Sequence, residues 1–545
     1  MAPCLLKAFL LVYAIFFTGT WALNSTSASS PTTTLLDAHL ASIRSVCKST
    51  PYPDACFDSL KLSISIDINP NIINFVLQSL ETAFSEGGKL LDLLLNIGSS
   101  GVVENQRGAI QDCQELHQIT MNSLQRSMSR ISSSADSRKL SDARAFLSAA
   151  LTNKDTCLEG LDSATGLLKP VLVDSVVNTY KYISNSLSML PNPAVPQLKT
   201  KGGANRRLMG FPAWTSRKDR RVLQSFDGGY NPNDVLTVAK DGSGNFTTIT
   251  DAINFAPNNS YDRTIIYVTQ GVYQENVYIP RHKTNIVLLG DGADVTEITG
   301  SRSVGDGWTT FRSATVAVSG DGFLARDIAF TNTAGPGKHQ AVALRVSADL
   351  SAVYLCKITG YQDTLYVHSF RQFYRECDIS GTVDFIFGNA AVVFQGCNMI
   401  ARLPMPGQFN VVTAQSRDTP DEDTGISIQN CSIIASQDLS SNMATVKTYL
   451  GRPWRPYSRT VYMDSYLDNL IDSIGWTQWS DDQGLDTLYY GEYQNTGPGS
   501  ATDGRVTWPG YHIMNYDDAW NFTVSQFITG DEWLDSTSFP YDNGV

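Results

Sequence analysis

The 545-residue sequence predicts two modules, an antiparallel helical bundle followed by an all-β unit best described as a right-handed parallel β-helix. Three observations predict it. Helical periodicity is confined to the first part of the chain, a Pro-containing basic stretch breaks the pattern, and short β-branched runs then recur at coil-like spacing. Charge divides at the same place. Residues 1–223 hold 22 Lys+Arg against 17 Asp+Glu, whereas the remainder holds 19 against 36, a net charge of about −17. With an overall charge of −12, no nucleic-acid partner is expected.

Taken in order, residues 1–22 read as a secretory signal peptide. Lys7 lies in an apolar run from Leu5 to Phe17, followed by small and polar residues around Thr20 and Ala22. The run is short for a membrane span, and no later stretch is longer, so stable membrane association is not expected. Sequons at Asn24, Asn245, Asn258, Asn430 and Asn521 fit an extracellular route. Beyond Cys4, each half holds four cysteines, which suggests separate disulfide frameworks. The absence of a CxxC pair argues against a zinc site.

Residues 37–190 form the helical module. Ile73, Leu77, Leu80 and Phe84 mark one apolar face, and Leu140, Ala143, Leu147, Ala150 and Leu151 another. The acidic residues of this half read as solvated faces. Residues 191–223 are the break: Pro191, Pro193 and Pro196 end the helices, and Arg206-Arg207 and Arg217-Lys218-Asp219-Arg220-Arg221 follow. Such a run is either a solvated tether or a target for a processing protease. Its place between two dissimilar modules favours processing.

Residues 224–545 form the β module. Its strands include Thr264 to Thr269, Asn285 to Leu289, Thr315 to Val318 and Ala352 to Leu355. Turn residues recurring about every 22 to 25 positions predict a solenoid, with a β-sandwich as the alternative. Gln340, Gln362 and Asp384 are spaced by one coil of 22 residues, which predicts that they stack, with Asp363 beside them. Two facing aspartates can divide into nucleophile and general acid if their environments separate their pKa values. Neutral glutamine amides suit a developing oxyanion. Arg452 and Trp454 add a guanidinium and a flat apolar face suited to a sugar ring. Any one of these residues alone reads as a turn or core position; the spaced set does not. No G-x-S-x-G elbow or H-E-x-x-H is present. His339, His368 and the acidic run Asp421-Glu422-Asp423 read as structural or solvated.

At these residues the sequence resembles plant pectin methylesterases: Gly360-Tyr361-Gln362-Asp363-Thr364-Leu365-Tyr366, Gly381 to Ala390, Val238 to Gly244, Gly290-Asp291-Gly292 and Leu450 to Pro456. The first half resembles the pectin methylesterase and invertase inhibitors through Cys47 with Cys56, Asp112-Cys113 with Glu115-Leu116, and Ala149 to Cys157. The resemblance implies a four-helix bundle with disulfides Cys47–Cys56 and Cys113–Cys157, and a Cys377–Cys397 disulfide in the second half. It implies Asp384 as nucleophile, Asp363 as acid then base, Gln340 and Gln362 as oxyanion donors and Arg452 orienting Asp384. Thr310, Tyr366, Phe387 and Trp454 would line the sugar groove. The implied reaction releases methanol from pectin in the plant cell wall, without cofactor or metal, by a monomer that meets a processing protease and an inhibitor protein. The rival readings are a pectate lyase or polygalacturonase, or an inhibitor protein whose helical half is the working product. The charge of the second half also predicts weak retention on a polyanionic product, with local attraction left to Arg452 and Arg455.

Overall fold

A computed structural model describes residues 31–61, 71–97, 102–133, 136–192 and 235–545. The expected signal peptide, Asn24 and the dibasic sites lie outside the described residues.

The helices of the first half are α1 (Pro31–Cys47), α2 (Pro53–Lys61), α3 (Ile72–Asn96), α4 (Ala109–Ser133), α5 (Ser137–Asp162) and α6 (Lys169–Met189). Local chemistry sets their starts: Asn71 accepts from the Ile73 N–H, and Asp136 from the Lys139 N–H. The disulfides Cys47–Cys56 and Cys113–Cys157 tie α1 to α2 and α4 to α5. The predicted α5 stripe from Leu140 to Leu151 is buried throughout. The α3 stripe is rotated from the expected one. Leu80 is buried, but Phe84 is 38% exposed, and Val76, Ala83, Gly87 and Leu90 complete the buried face. Close approach explains the shift: a Cβ at Gly87 would lie 2.5 Å from Met121 Sδ, so small residues face α4.

Strands β1 to β26, numbered in chain order, form three sheets of eleven, seven and eight strands, and every pairing is parallel. Neighbours in each sheet are mostly every third strand in sequence, which is a parallel β-helix and not the alternative sandwich. The predicted runs fall on β2 (Thr264–Val268), β5 (Ile286–Gly290), β7 (Val316–Val318) and β11 (Ser351–Tyr354). Aliphatic and aromatic side chains fill the interior, and a short helix, α7 (Ile249–Phe255), closes one end with Ile249, Ala252 and Ile253. The segment from Val524 to Tyr541 covers the outside of the eleven-stranded sheet.

The seven-stranded sheet positions the site. Its members are β4 (Val277–Ile279), β7, β10 (Leu344–Val346), β13 (Leu365–Val367), β16 (Ile386–Gly388), β19 (Asn410–Gln415) and β22 (Thr448–Pro453). Leu344 pairs with Leu365, and Leu365 with Ile386, so a coil here is 21 residues. One side-chain column therefore reads Ala317, Arg345, Tyr366, Phe387, Ala414, Arg452.

Cys377 and Cys397 are not bonded; they are buried free thiols, as are Cys356 and Cys431. Each precedes a strand of the eight-stranded sheet, whose register stacks Lys357, Asp378, Asn398 and Ser432. Side chains at equivalent positions of parallel coils leave the backbone in parallel, whereas a disulfide needs converging Cβ atoms. The sulfurs instead meet backbone N–H groups, Cys377 N–H to Cys397 Sγ at 3.5 Å and Cys397 N–H to Cys431 Sγ at 3.4 Å. Burial pushes the Cys356 thiol up to about 12. Alkylation without reductant should label these four cysteines only after denaturation. Labelling of fewer than four would place a disulfide in the column.

Candidate active site

Asp363 and Asp384 occupy equivalent positions of successive coils, two residues ahead of β13 and β16, and both are left-handed, with φ of 62° and 52°. Aspartate tolerates that conformation better than most side chains. The surrounding glycines are sterically required: a Cβ at Gly381 would lie 2.3 Å from Phe385 Cβ, and one at Gly388 2.2 Å from the Val367 carbonyl oxygen. The 21-residue register corrects the expected stack. Asp363, not Gln362, is the coil-equivalent of Asp384.

Arg452, on β22, donates to Asp384 twice, Nε to Oδ1 at 2.9 Å and Nη2 to Oδ2 at 2.6 Å. Its guanidinium also lies 4.2 Å from the Trp479 ring centroid. Burial and then the Asp384 charge push the Asp363 carboxyl well above the ordinary carboxylate range, against the pull of Arg452. Burial raises Asp384 too, but the hydrogen bonds and charge of Arg452 oppose it directly. The two carboxyls are therefore pushed apart, with Asp363 the harder of the two to ionise.

Both carboxyls open into a cavity of ≈ 220 Å³ that also takes in Gln340, Gln362, Thr310, Tyr366, Phe387 and Trp454. The structure thus brings together every residue predicted for the site. It adds Phe311 and Trp479, which extend the aromatic wall. Tyr366 stacks on Phe387 at 4.2 Å, Phe387 meets Trp454 at 5.9 Å, and Trp454 stacks on Trp479 at 6.1 Å. His368 is structural: it is fully buried, shares hydrogen bonds with Thr156 Oγ1 at 3.0 Å and Ser369 Oγ at 2.9 Å, and burial holds it neutral.

The same cavity is walled by Gln106, Asp112, Thr156, Glu159 and Gly160 of the helical half. That contradicts the reading of its acidic residues as solvated. Asp112 accepts from Thr309 Oγ1 at 2.6 Å and pairs with Arg312 at 2.6 Å. Glu115 pairs with Arg312 at 3.2 Å and Arg345 at 3.6 Å. Asp142 pairs with Arg371 at 2.9 Å, and Glu159 with Arg455. The acidic loop is not solvated either, because Glu422 is buried and Asp423 pairs with Arg144 at 2.6 Å. The described sequon residues Asn245, Asn258, Asn430 and Asn521 are all exposed.

Residues 235–531 match the pectinesterase family, and residues 41–189 match the plant invertase/pectin methylesterase inhibitor family. The chain belongs to the pectinesterase family. It is 66% identical to probable pectinesterase/pectinesterase inhibitor 12 of Arabidopsis thaliana, over 94% of this chain and 95% of that one. It is 44% identical to pectinesterase 1 of Citrus sinensis, over 93% of this chain and 89% of that one. Among solved structures, the pectin methylesterase from carrot is 55% identical with a TM-score of 0.57, covering 58% of this chain and 99% of the carrot chain. A whole solved protein thus corresponds to the β-helical half of this pectinesterase. The family membership and fold agree with the resemblance read from the sequence motifs. No helix among the described residues is long and apolar enough to cross a membrane.

Proposed function

We propose that this pectinesterase demethylates pectin in the cell wall by a two-aspartate mechanism, and that its helical half restrains it until the linker at residues 191–223 is cut. The observation that carries the mechanism is the pairing, in one aromatic-walled cavity, of an Arg452-held Asp384 with Asp363, whose carboxyl burial and the Asp384 charge push well above the ordinary range. Asp384 attacks the methyl-ester carbonyl, and the amides of Gln340 and Gln362 donate to the oxyanion. Asp363 gives its proton to departing methanol. The resulting carboxylate then takes a proton from water, which attacks the acyl group and frees Asp384. Tyr366, Phe387, Trp454 and Trp479 supply apolar faces for sugar ring and methyl group.

Restraint is supported by the helical side chains in that cavity and by ion pairs from α4 and α5 to the groove. A secreted monomer processed by a protease reading the basic linker completes the proposal.

Asp363→Asn tests the acid role. Methanol release should fall by roughly 10²–10⁴-fold, and the remaining activity should lose the alkaline limb set by the Asp363 proton. Steady-state rates from pH 5 to 9 measure both. An unchanged pH profile with near-native rate would remove Asp363 from the chemistry.

A further inference from the structure

We propose that Arg312 and Arg345 form a subsite for a free, de-esterified galacturonate carboxylate, which Asp112 and Glu115 of the helical half occupy in the intact chain. The inference rests on the pectin-demethylating function proposed above and names the substrate feature that the groove reads beside the reacting ester.

Arg345 is 2% exposed and lies in the outward column of the active-site sheet, one strand from Tyr366. Strands in such a sheet stand about 4.8 Å apart, which puts the Arg345 backbone about one strand spacing from that of Tyr366 in the cavity wall. The guanidinium carbon lies 3.4 Å from the Phe311 ring centroid, and Ser347 Oγ accepts from Arg345 at 2.9 Å. Arg312 stands next to Phe311 in the chain. Among the described residues, neither guanidinium has an ion-pair partner from the catalytic half. Their carboxylates all come from α4. Glu115 reaches both arginines and also accepts from Ser319 Oγ at 3.1 Å. The backbone of the helical half fits over Arg312 so closely that a Cβ at Gly108 would lie 2.4 Å from its Cδ.

When α4 leaves, two neighbouring cations remain without an ion-pair partner from the catalytic half among the described residues. Neighbouring cations without counter-charges repel each other, so the pair favours an incoming carboxylate. The polymer offers one, because galacturonate units that have lost methyl present carboxylates at a regular repeat, and a guanidinium fork binds carboxylate directionally. On the far side of the catalytic pair, Arg455 takes Glu159 in the same way. The groove then reads cationic, apolar, cationic, with the aromatic wall at the centre. That order suits a methylated unit flanked by free acids, and the helical half presents its carboxylates as the polymer would. It revises the expectation drawn from net charge: near the reacting unit, local cations outweigh the charge of about −17 on residues 224–545.

The test uses the catalytic half, which corresponds to a whole solved relative, on fully methylated and half-de-esterified oligogalacturonides. Wild type should favour the half-de-esterified substrate in kcat/KM, and fully de-esterified oligogalacturonate should inhibit. In Arg312→Gln and Arg345→Gln the preference should fall about tenfold, as expected for losing a charge-assisted hydrogen bond, and inhibition should weaken alongside it. Equal loss on both substrates, or an unchanged preference, would overturn the subsite. If Arg345→Gln fails to fold by circular dichroism, the partly exposed Arg312 decides. A wild-type protein that releases no methanol would defeat the proposed function, whereas methanol release without discrimination would defeat this inference alone.

Discussion

Asp384→Asn should reduce methanol release from pectin by at least about 10⁴-fold, the scale seen when a nucleophile that works as part of a unit is removed. An amide in that place cannot attack the ester, and it also loses the charge that orients Arg452 across two hydrogen bonds. Removing one partner of a buried pair costs up to about 3–5 kcal/mol. The cost here should be smaller, because the Arg452 side chain is 17% exposed and lies over the Trp479 ring. The variant should therefore stay folded with a lowered Tm. Near-native turnover in a folded Asp384→Asn protein would assign the chemistry elsewhere.

The second large effect is release of the helical half. On the proposed restraint, Asp112, Thr156 and Glu159 of the helical half stand in the polymer's way in the cavity of ≈ 220 Å³. A tethered domain at an effective concentration of about 1 mM with micromolar intrinsic affinity leaves the groove open about one part in a thousand. Cutting the linker and separating the halves should thus raise methanol release by as much as about 10³-fold. Equal rates for intact and separated protein would show that the helical half does not restrain the enzyme.

This docking should depend on pH in a defined direction. Burial pushes the Asp112 carboxyl up to about 7, with Arg312 opposing, and Glu159 up to about 7 in the same way, against Arg455. In the undocked state such carboxyls titrate near 4. The docked form binds these protons more tightly, so docking is strongest below about pH 4 and weakens as pH climbs through 7, where the Arg312 and Arg455 pairs retain part of it. The activity of the intact chain should rise more steeply from pH 5 to 8 than that of the separated catalytic half. Asp112→Asn should flatten that difference, and parallel profiles would refute the role of these carboxyls.

The sequence exposes the two modules and the polar residues of the site because repeat spacing and helical period are local properties. It misplaces the stack by one residue. Gln340, Gln362 and Asp384 are 22 apart, but strand pairing sets the coil at 21 and makes Asp363 the partner of Asp384. Trp479 and Phe311 carry no local mark, because they reach the groove from distant coils. In the segment Gly475 to Ser480, Trp476 turns into the core while Trp479, three residues later, faces Arg452. The acidic residues of α4 and α5 look like a solvated face because their cationic partners lie far away in the chain. Counting cysteines is similarly blind to direction. Four thiols in one half suggest bridges, whereas parallel coils hold them in a column.

The most direct measurement compares residues 224–545 with their Asp384→Asn variant on methylated pectin, following methanol, new reducing ends and unsaturated ends together. Methanol is expected from the wild-type segment, matched by carboxylate and unaccompanied by chain cleavage, and none above background from the variant. Chain cleavage without methanol, or equal methanol from both proteins, would contradict it.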